Sequence, residues 1–203
     1  DASTKQKAAA VAKEFGIAVE ITLGAGGETL DAWIRDASLV LARDDLPTAD
    51  DLALLIFTGG STGIPKGVNH THRGLLWGVL QHVTVWPGVY GGERFLNVAP
   101  MFHIWGLSYA TWVPIFMQST LVMVPRYDPD KVVQGLSDHK ITVFAGGPAP
   151  IYMGLLGSPL FEKADLSSLR YCLSGGAPCP AELHADWLAH TGVPLLEGWG
   201  MTE

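Results

Sequence analysis

Residues Thr58 to Val68 read Thr-Gly-Gly-Ser-Thr-Gly-Ile-Pro-Lys-Gly-Val, a run of glycines and hydroxyls that ends in a lysine. Gly59, Gly60, Gly63 and Gly67 let a backbone turn tightly and bring its N–H groups close to a ligand. Thr58, Ser61 and Thr62 add hydroxyl donors, and Lys66 adds a mobile positive charge. That inventory suits a polyphosphate. It is not a Walker P-loop: counting from Gly60, Pro65 precedes the lysine and has no N–H to offer, and Gly67 stands where the magnesium-holding hydroxyl belongs. A Walker-type ATPase is therefore disfavoured. The competing reading is a plain surface loop, since Gly, Ser and Thr clusters commonly mean only that. Against it stand the apolar run before the loop (52–57), which reads as a buried strand, the lysine placed just past Pro65, and the helix-like segment from about residue 71.

The segment Phe57 to Val68 resembles the signature loop of the adenylate-forming enzymes: acyl- and aryl-CoA synthetases, beetle luciferases and peptide-synthetase adenylation domains. Their usual pattern is Tyr/Phe-T-S-G-T-T-G-x-P-K-G-V. The chain departs from it at Gly59 and at Ser61, where serine and threonine are commoner; Ser61 keeps the hydroxyl, whereas Gly59 leaves only backbone donors. Three more segments match in the family's order. Pro100-Met101-Phe102-His103-Ile104-Trp105-Gly106 is similar to P-x-F-H-x-x-G, and Ser174-Gly175-Gly176-Ala177-Pro178 to the S-G-G-A-P turn. Gly198-Trp199-Gly200-Met201-Thr202-Glu203 is similar to Y-G-x-T-E, with Trp in place of Tyr. Residues 51–203 carry the resemblance.

It implies a carboxylic acid, best a fatty acid, joined to the α-phosphorus of ATP and then passed to CoA, with Mg²⁺ assisting. An anion must attack a polyanion, so such a site needs N–H donors, hydroxyls and cations. By the resemblance, Thr58, Gly59, Gly60, Ser61, Thr62, Gly63 and Lys66 cradle the β- and γ-phosphates. Glu203 is the magnesium ligand, a hard oxygen suited to that ion. Thr202 contacts the α-phosphate. Trp199, with Gly200 and Met201 beside it, offers the face that stacks on adenine, a buried core Trp being the competing view. Gly175, Gly176, Ala177 and Pro178 form a small-residue wall against the adenine and the acyl tunnel. His103 is expected to position the carboxylate or gate the acyl pocket rather than move a proton, because a carboxylate at neutral pH needs no base. Trp105, Tyr109, Trp112 and Phe116 recur at helical spacing and read as core, one or two of them lining the tunnel. An aryl-CoA ligase and a carrier-protein adenylation domain are the alternatives within the family, and a non-catalytic nucleotide- or acyl-binding module is the alternative outside it.

The 203 residues are 48% hydrophobic and 16% charged, enough to bury a sizeable core, with 24 glycines and 13 prolines spread along the chain. A net charge of −7 without a basic tract disfavours nucleic-acid binding. Cys172 and Cys179 are too few for a disulfide framework and their spacing matches no zinc pattern; Cys172 reads as a small buried hydrophobe. His70, His72, His82, His139, His184 and His190 show no metal spacing and stay unassigned. No Asp, Glu, Lys or Arg occurs from Phe95 to Pro125. Gly106, Pro114 and Gln118 interrupt that stretch, so buried strand–helix–strand is expected instead of a membrane span. The expected setting is cytoplasmic, with peripheral membrane association and homo-oligomerisation left open. Residue 1 is Asp and residue 203 falls inside a motif, so an internal piece of a large N-terminal domain is expected, with the small C-terminal domain lying beyond it.

Apolar runs with little alternation, separated by helix-sized segments, predict an α/β fold of largely parallel sheets flanked by helices. Strands are expected at 17–23, 52–57, 95–98, 120–124, 142–145, 170–173 and 194–197. Helices are expected at 4–15, 30–34, 73–85, 105–117, 130–137, 150–156 and 181–190, with a turn at 24–27 and an acidic connector at 44–51; residues 1–50 carry no signature of their own. Such sheets bind ligands at the carboxyl ends of their strands. The phosphate loop, the Gly-Gly-Ala-Pro turn and the Trp-Gly-Met-Thr-Glu segment each follow a strand and are expected on one rim.

Overall fold

Among the described residues, the phosphate-loop strand joins no parallel sheet. β1 (Leu52–Thr58) pairs antiparallel with β2 (Lys66–Thr71), and the two form a sheet of their own. The computed structural model describes residues 13–14, 46–59, 63–86 and 88–203, and every element named here lies in the unit Thr48–Glu203. The elements expected at 4–15, 17–23, 24–27 and 30–34 lie outside the described residues, apart from 13–14, which are helical. β2 has no sequence signal because Val68 is its sole aliphatic residue; β1 supplies its hydrogen-bond partners. The expected burial of β1 is also corrected, since Leu55 and Phe57 are exposed among the described residues.

Beyond the hairpin the expected alternation holds. α1 (His72–Val85) begins at Thr71, whose hydroxyl accepts from the Gly74 N–H at 3.1 Å and caps the first turn. β3 (Arg94–Asn97) leads to a helical stretch and then β4 (Thr120–Met123). α2 (Pro129–Asp138) is capped by Asp128, which accepts from the N–H groups of Asp130 and Lys131, and has proline at its first position. β5 (Val143–Gly147), α3 (Ala149–Leu156), a 3-10 turn (Phe161–Lys163), β6 (Tyr171–Gly175), α4 (Ala181–Thr191) and β7 (Leu195–Gly198) follow. α4 stops at Gly192, whose φ of +68° is the left-handed conformation that glycine adopts without cost.

Five strands form one sheet in the order β4-β3-β5-β6-β7, and every neighbouring pair is parallel. Both faces are covered, so the strands read as continuous apolar runs. Leu96, Phe144, Cys172 and Leu195 point to the α2–α4 side, where they pack with Val132, Tyr152 and Trp187. Phe95, Val143, Ala145 and Leu173 point the other way and pack with Val79, Tyr109 and Val113. The stretch expected as one helix over 105–117 is π-helical over Trp105–Trp112 and α-helical only over Val113–Phe116. Pro114 has no N–H for a regular ladder, and the Thr111 hydroxyl donates to the Gly106 carbonyl at 2.7 Å. Such wide turns recur at functional sites. Among the described residues, no helix is long and apolar enough to cross a membrane.

Candidate functional site

Strand order reverses between β3 and β5, with β4 on one side and β5 to β7 on the other. A crevice at the carboxyl ends is expected there. A cavity of about 850 Å³ opens at that point. Its walls are the end of β3 with the segment after it (Asn97 to His103), the end of β4 with the segment after it (Met123 to Tyr127) and Gly146-Gly147-Pro148 at the end of β5, with Gly175 and Gly176 closing it from β6. A second cavity of about 170 Å³ lies between His82, Trp86, Trp105, Tyr109 and the residues Gly198 to Met201. His103, Trp105 and Gly176 border both cavities.

His103 is held there by backbone. Buried Asn97, the last residue of β3, accepts from the Ala99 N–H at 2.7 Å and bends the chain out of the strand. Gly106 then packs so closely that a Cβ on it would lie 2.2 Å from the Pro100 carbonyl oxygen, so only glycine fits. Within this bend the Trp105 N–H donates to His103 Nδ1 at 3.1 Å. With Nδ1 accepting, a neutral imidazole carries its proton on Nε2, which makes that nitrogen a donor.

Trp105 divides the two cavities. Its indole N–H donates to the Ala145 carbonyl at 3.3 Å. Its ring covers the ends of β6 and β7: a Cβ on Gly175 would lie 2.8 Å from Trp105 Cζ3, and one on Gly198 would lie 3.4 Å from it. Tyr109 stacks beside it at 5.4 Å between ring centroids, with His82 at 4.8 Å from Tyr109 and Trp86 edge-on at 5.8 Å. Burial first, and the neighbouring Tyr171 second, push the Tyr109 hydroxyl well above the usual phenol range, so it stays neutral.

Gly147 and Gly176 hold matching left-handed conformations, φ +97° and +83°, at the ends of adjacent strands. Below them, the buried Tyr152 hydroxyl accepts from the Gly146 N–H at 3.1 Å and donates to the Leu173 carbonyl at 2.6 Å. One phenol thus fixes both strand ends.

His103, Gly176, Trp199, Gly200 and Met201 gather around the smaller cavity, and His103, Gly175 and Gly176 around the larger. Trp199 is 89% exposed, which excludes a core role for it. Ala177 and Pro178 are exposed on the turn after Gly176; Thr202 is half-buried and Glu203 exposed, and none of these lines either cavity. Thr58, Gly59, Gly63 and Lys66 belong to the hairpin, where Thr58 and Lys66 sit opposite each other and Gly63 has a φ of +86°. The rim therefore carries two of the three expected segments, while the third follows an antiparallel strand. Gly60, Ser61 and Thr62 lie outside the described residues. Cys172 is fully buried, and burial pushes its thiol far up.

Sequence reasoning missed His82, Trp86, Arg126 and the Gly146-Gly147-Pro148 turn. The last had a signal: small residues directly after an apolar strand, as at Gly175-Gly176-Ala177-Pro178. His82 and Trp86 had none beyond a four-residue spacing on α1.

The profile of the AMP-binding enzyme family matches residues 2–203. A long-chain-fatty-acid–CoA ligase of Bacillus subtilis (strain 168) is 38% identical over 157 residues, covering 75% of this chain and 27% of that protein. A feruloyl-CoA synthase of an Amycolatopsis species is 38% identical over 160 residues, 78% of this chain and 32% of that one. The crystal structure of ATP-bound MatB from Rhodopseudomonas palustris superimposes with a TM-score of 0.83 at 34% identity, over 100% of this chain and 39% of that one. The chain thus spans about a third of the length of the relatives it matches. It belongs to the AMP-binding enzyme family, whose adenylate-forming fold it shares.

Proposed function

We propose that the full-length protein carrying this chain activates an apolar carboxylic acid as its acyl-adenylate and transfers the acyl group to CoA. Residues 1–203 are read as part of its large N-terminal domain. The observation that carries this reading is His103, which borders both cavities with Nδ1 engaged and Nε2–H left to donate. A carboxylate at that junction accepts from Nε2 without a proton being moved, which is the positioning role expected of His103. Its oxygen attacks the α-phosphorus, and the bond to the bridging oxygen breaks as pyrophosphate leaves with the electron pair. The thiol sulfur of CoA then attacks the acyl carbon and AMP departs, the thiol proton passing to solvent.

Lys66, the hydroxyls of Thr58, Ser61 and Thr62 and the N–H groups of Gly59, Gly60 and Gly63 are assigned to the β- and γ-phosphates, and Thr202 to the α-phosphate. Adenine stacks on Trp199 beside Gly200 and Met201, against the wall Gly175-Gly176-Ala177-Pro178. Mg²⁺ takes one or two carboxylates together with phosphate oxygens and keeps several waters. The lone exposed Glu203 fits such an ion when it arrives with a nucleotide, and the ion would neutralise charge on the leaving pyrophosphate.

An apolar acid body is supported by Val98, Met101, Phe102, Met123, Val124 and Ile151 along the larger cavity. The relatives named for fatty acid and feruloyl substrates keep a straight-chain acid and an aryl acid both in view, and the rings of Phe102 and Trp105 on the larger cavity suit a planar body as well as an aliphatic one. Exchange of labelled pyrophosphate into ATP, screened across fatty and aryl acids with the full-length protein, tests the reading. Exchange that requires an acid supports it. ATP turnover indifferent to every acid overturns it, and binding of nucleotide without exchange favours the non-catalytic module.

A further inference from the structure

Cys179, His184 and Glu197 come from a loop, a helix and a strand, yet one ligand atom of each lies within 4.8 Å of the other two. Cys179 follows the Gly175–Pro178 turn, His184 stands in the first turns of α4, and Glu197 is the penultimate residue of β7. We propose that these residues form a site for a zinc-class divalent cation, with three protein ligands and a fourth position open to water.

The donor set is one soft sulfur, one imidazole and one carboxylate, the mixture that zinc accepts and that magnesium and calcium do not favour. Geometry supports it independently. His184 Nδ1 lies 2.8 Å from the Leu195 carbonyl oxygen and so carries the ring proton, leaving the Nε2 lone pair facing Glu197. A backbone carbonyl orienting a histidine in this way is the usual support for a metal-bound imidazole. His184 Nε2 and Glu197 Oε1 are 3.5 Å apart; two ligands at zinc distances on a tetrahedron stand about 3.3 Å apart. Glu197 is oriented in turn, because Oε1 accepts from the Cys179 N–H at 3.0 Å. All three side chains are half-buried or exposed, so an ion has a path in. Binding displaces the Cys179 thiol proton to solvent, so affinity rises with pH. Among the described residues this is the one such cluster. The competing account is a bare His184–Glu197 ion pair that needs no metal.

The site does not depend on the acyl-activation reading, although an ion there would tie the turn after β6 to the strand that ends beside Trp199. Titration of the purified, metal-free protein with Zn²⁺ and, separately, Co²⁺ tests it. The expected result is one ion per chain, with a thiolate-to-cobalt charge-transfer band that disappears in Cys179→Ala and persists in Cys172→Ala. His184→Ala and Glu197→Gln should each weaken binding at least about tenfold. Glu197→Gln is exposed and isosteric, so it carries the test if another variant folds poorly, and protection of Cys179 from alkylation by Zn²⁺ gives a second reading. Absence of stoichiometric binding, a band that survives Cys179→Ala, or affinity unchanged in Glu197→Gln overturns the site in favour of the ion pair.

Discussion

The two ends of the five-stranded sheet are built on opposite plans. At the amino ends, Glu93 is buried just before β3 and accepts from the Val89 N–H at 2.7 Å, from the Thr142 hydroxyl and from Arg170, with which it forms an ion pair. Thr142 also accepts from the Arg94 N–H at 2.9 Å, and its carbonyl receives the Arg170 N–H at 2.8 Å. One carboxylate thereby knits the starts of β3, β5 and β6. At the carboxyl ends β5, β6 and β7 finish in Gly147, Gly175 and Gly198, over which lies the ring of Trp105. Beyond it Trp199 stands in solvent. A satisfied buried charge rigidifies one end, while missing side chains at the other let the Trp105 ring lie close against the strand ends that the two cavities border.

This contrast predicts that substitutions at the amino ends change stability and those at the carboxyl ends change activity. The largest effect is expected at Glu93→Gln, which removes the charge that Arg170 faces and should lower unfolding free energy by about 3 kcal/mol in urea titrations. Acid-dependent exchange per folded molecule should be untouched; a loss below about 0.5 kcal/mol would erase the contrast. Gly175→Ala probes the other end, since the new methyl would meet the Gly198 carbonyl oxygen at 2.7 Å and Trp105 at 2.8 Å. It should cost about 1–3 kcal/mol and also depress exchange, because both cavities border the displaced ring. Full exchange activity in that variant would detach Trp105 from the site.

Trp105→Ala should join the two cavities and favour bulkier acids, shifting relative kcat/KM by about tenfold or more toward them. An unchanged acid ranking would make Trp105 a core residue only. The smallest change in stability is expected at Trp199→Ala, within about 0.5 kcal/mol because the ring is exposed. Its KM for ATP should nonetheless rise roughly three- to tenfold from the lost stacking.

Much of this was legible in the sequence for a physical reason. A parallel sheet covered on both faces leaves apolar runs such as 143–145 and 171–173, and backbone-built ligand loops leave glycines behind those runs. β2 was illegible because Lys66-Gly67-Val68-Asn69-His70-Thr71 is strand-forming only when β1 supplies partners. Exposure of β1 could not be read from its composition, which is that of a buried strand. The cavities depend on how Trp105 lies across glycines 42 to 93 residues away by the numbering of Gly147 and Gly198, and no local pattern encodes that. Cys179, His184 and Glu197 have no zinc spacing because they meet only through the pairing of β6 with β7 and the packing of α4.

The most direct measurement is a crystal structure of the full-length protein with a non-hydrolysable acyl-adenylate mimic, an acyl sulfamoyl adenosine. Its adenine should lie on Trp199 against Gly175 and Gly176, with the acyl–sulfamate junction within hydrogen-bond reach of His103 Nε2 and the acyl body beside Trp105. A mimic bound away from the carboxyl ends of β5, β6 and β7, with His103 untouched, would contradict the account.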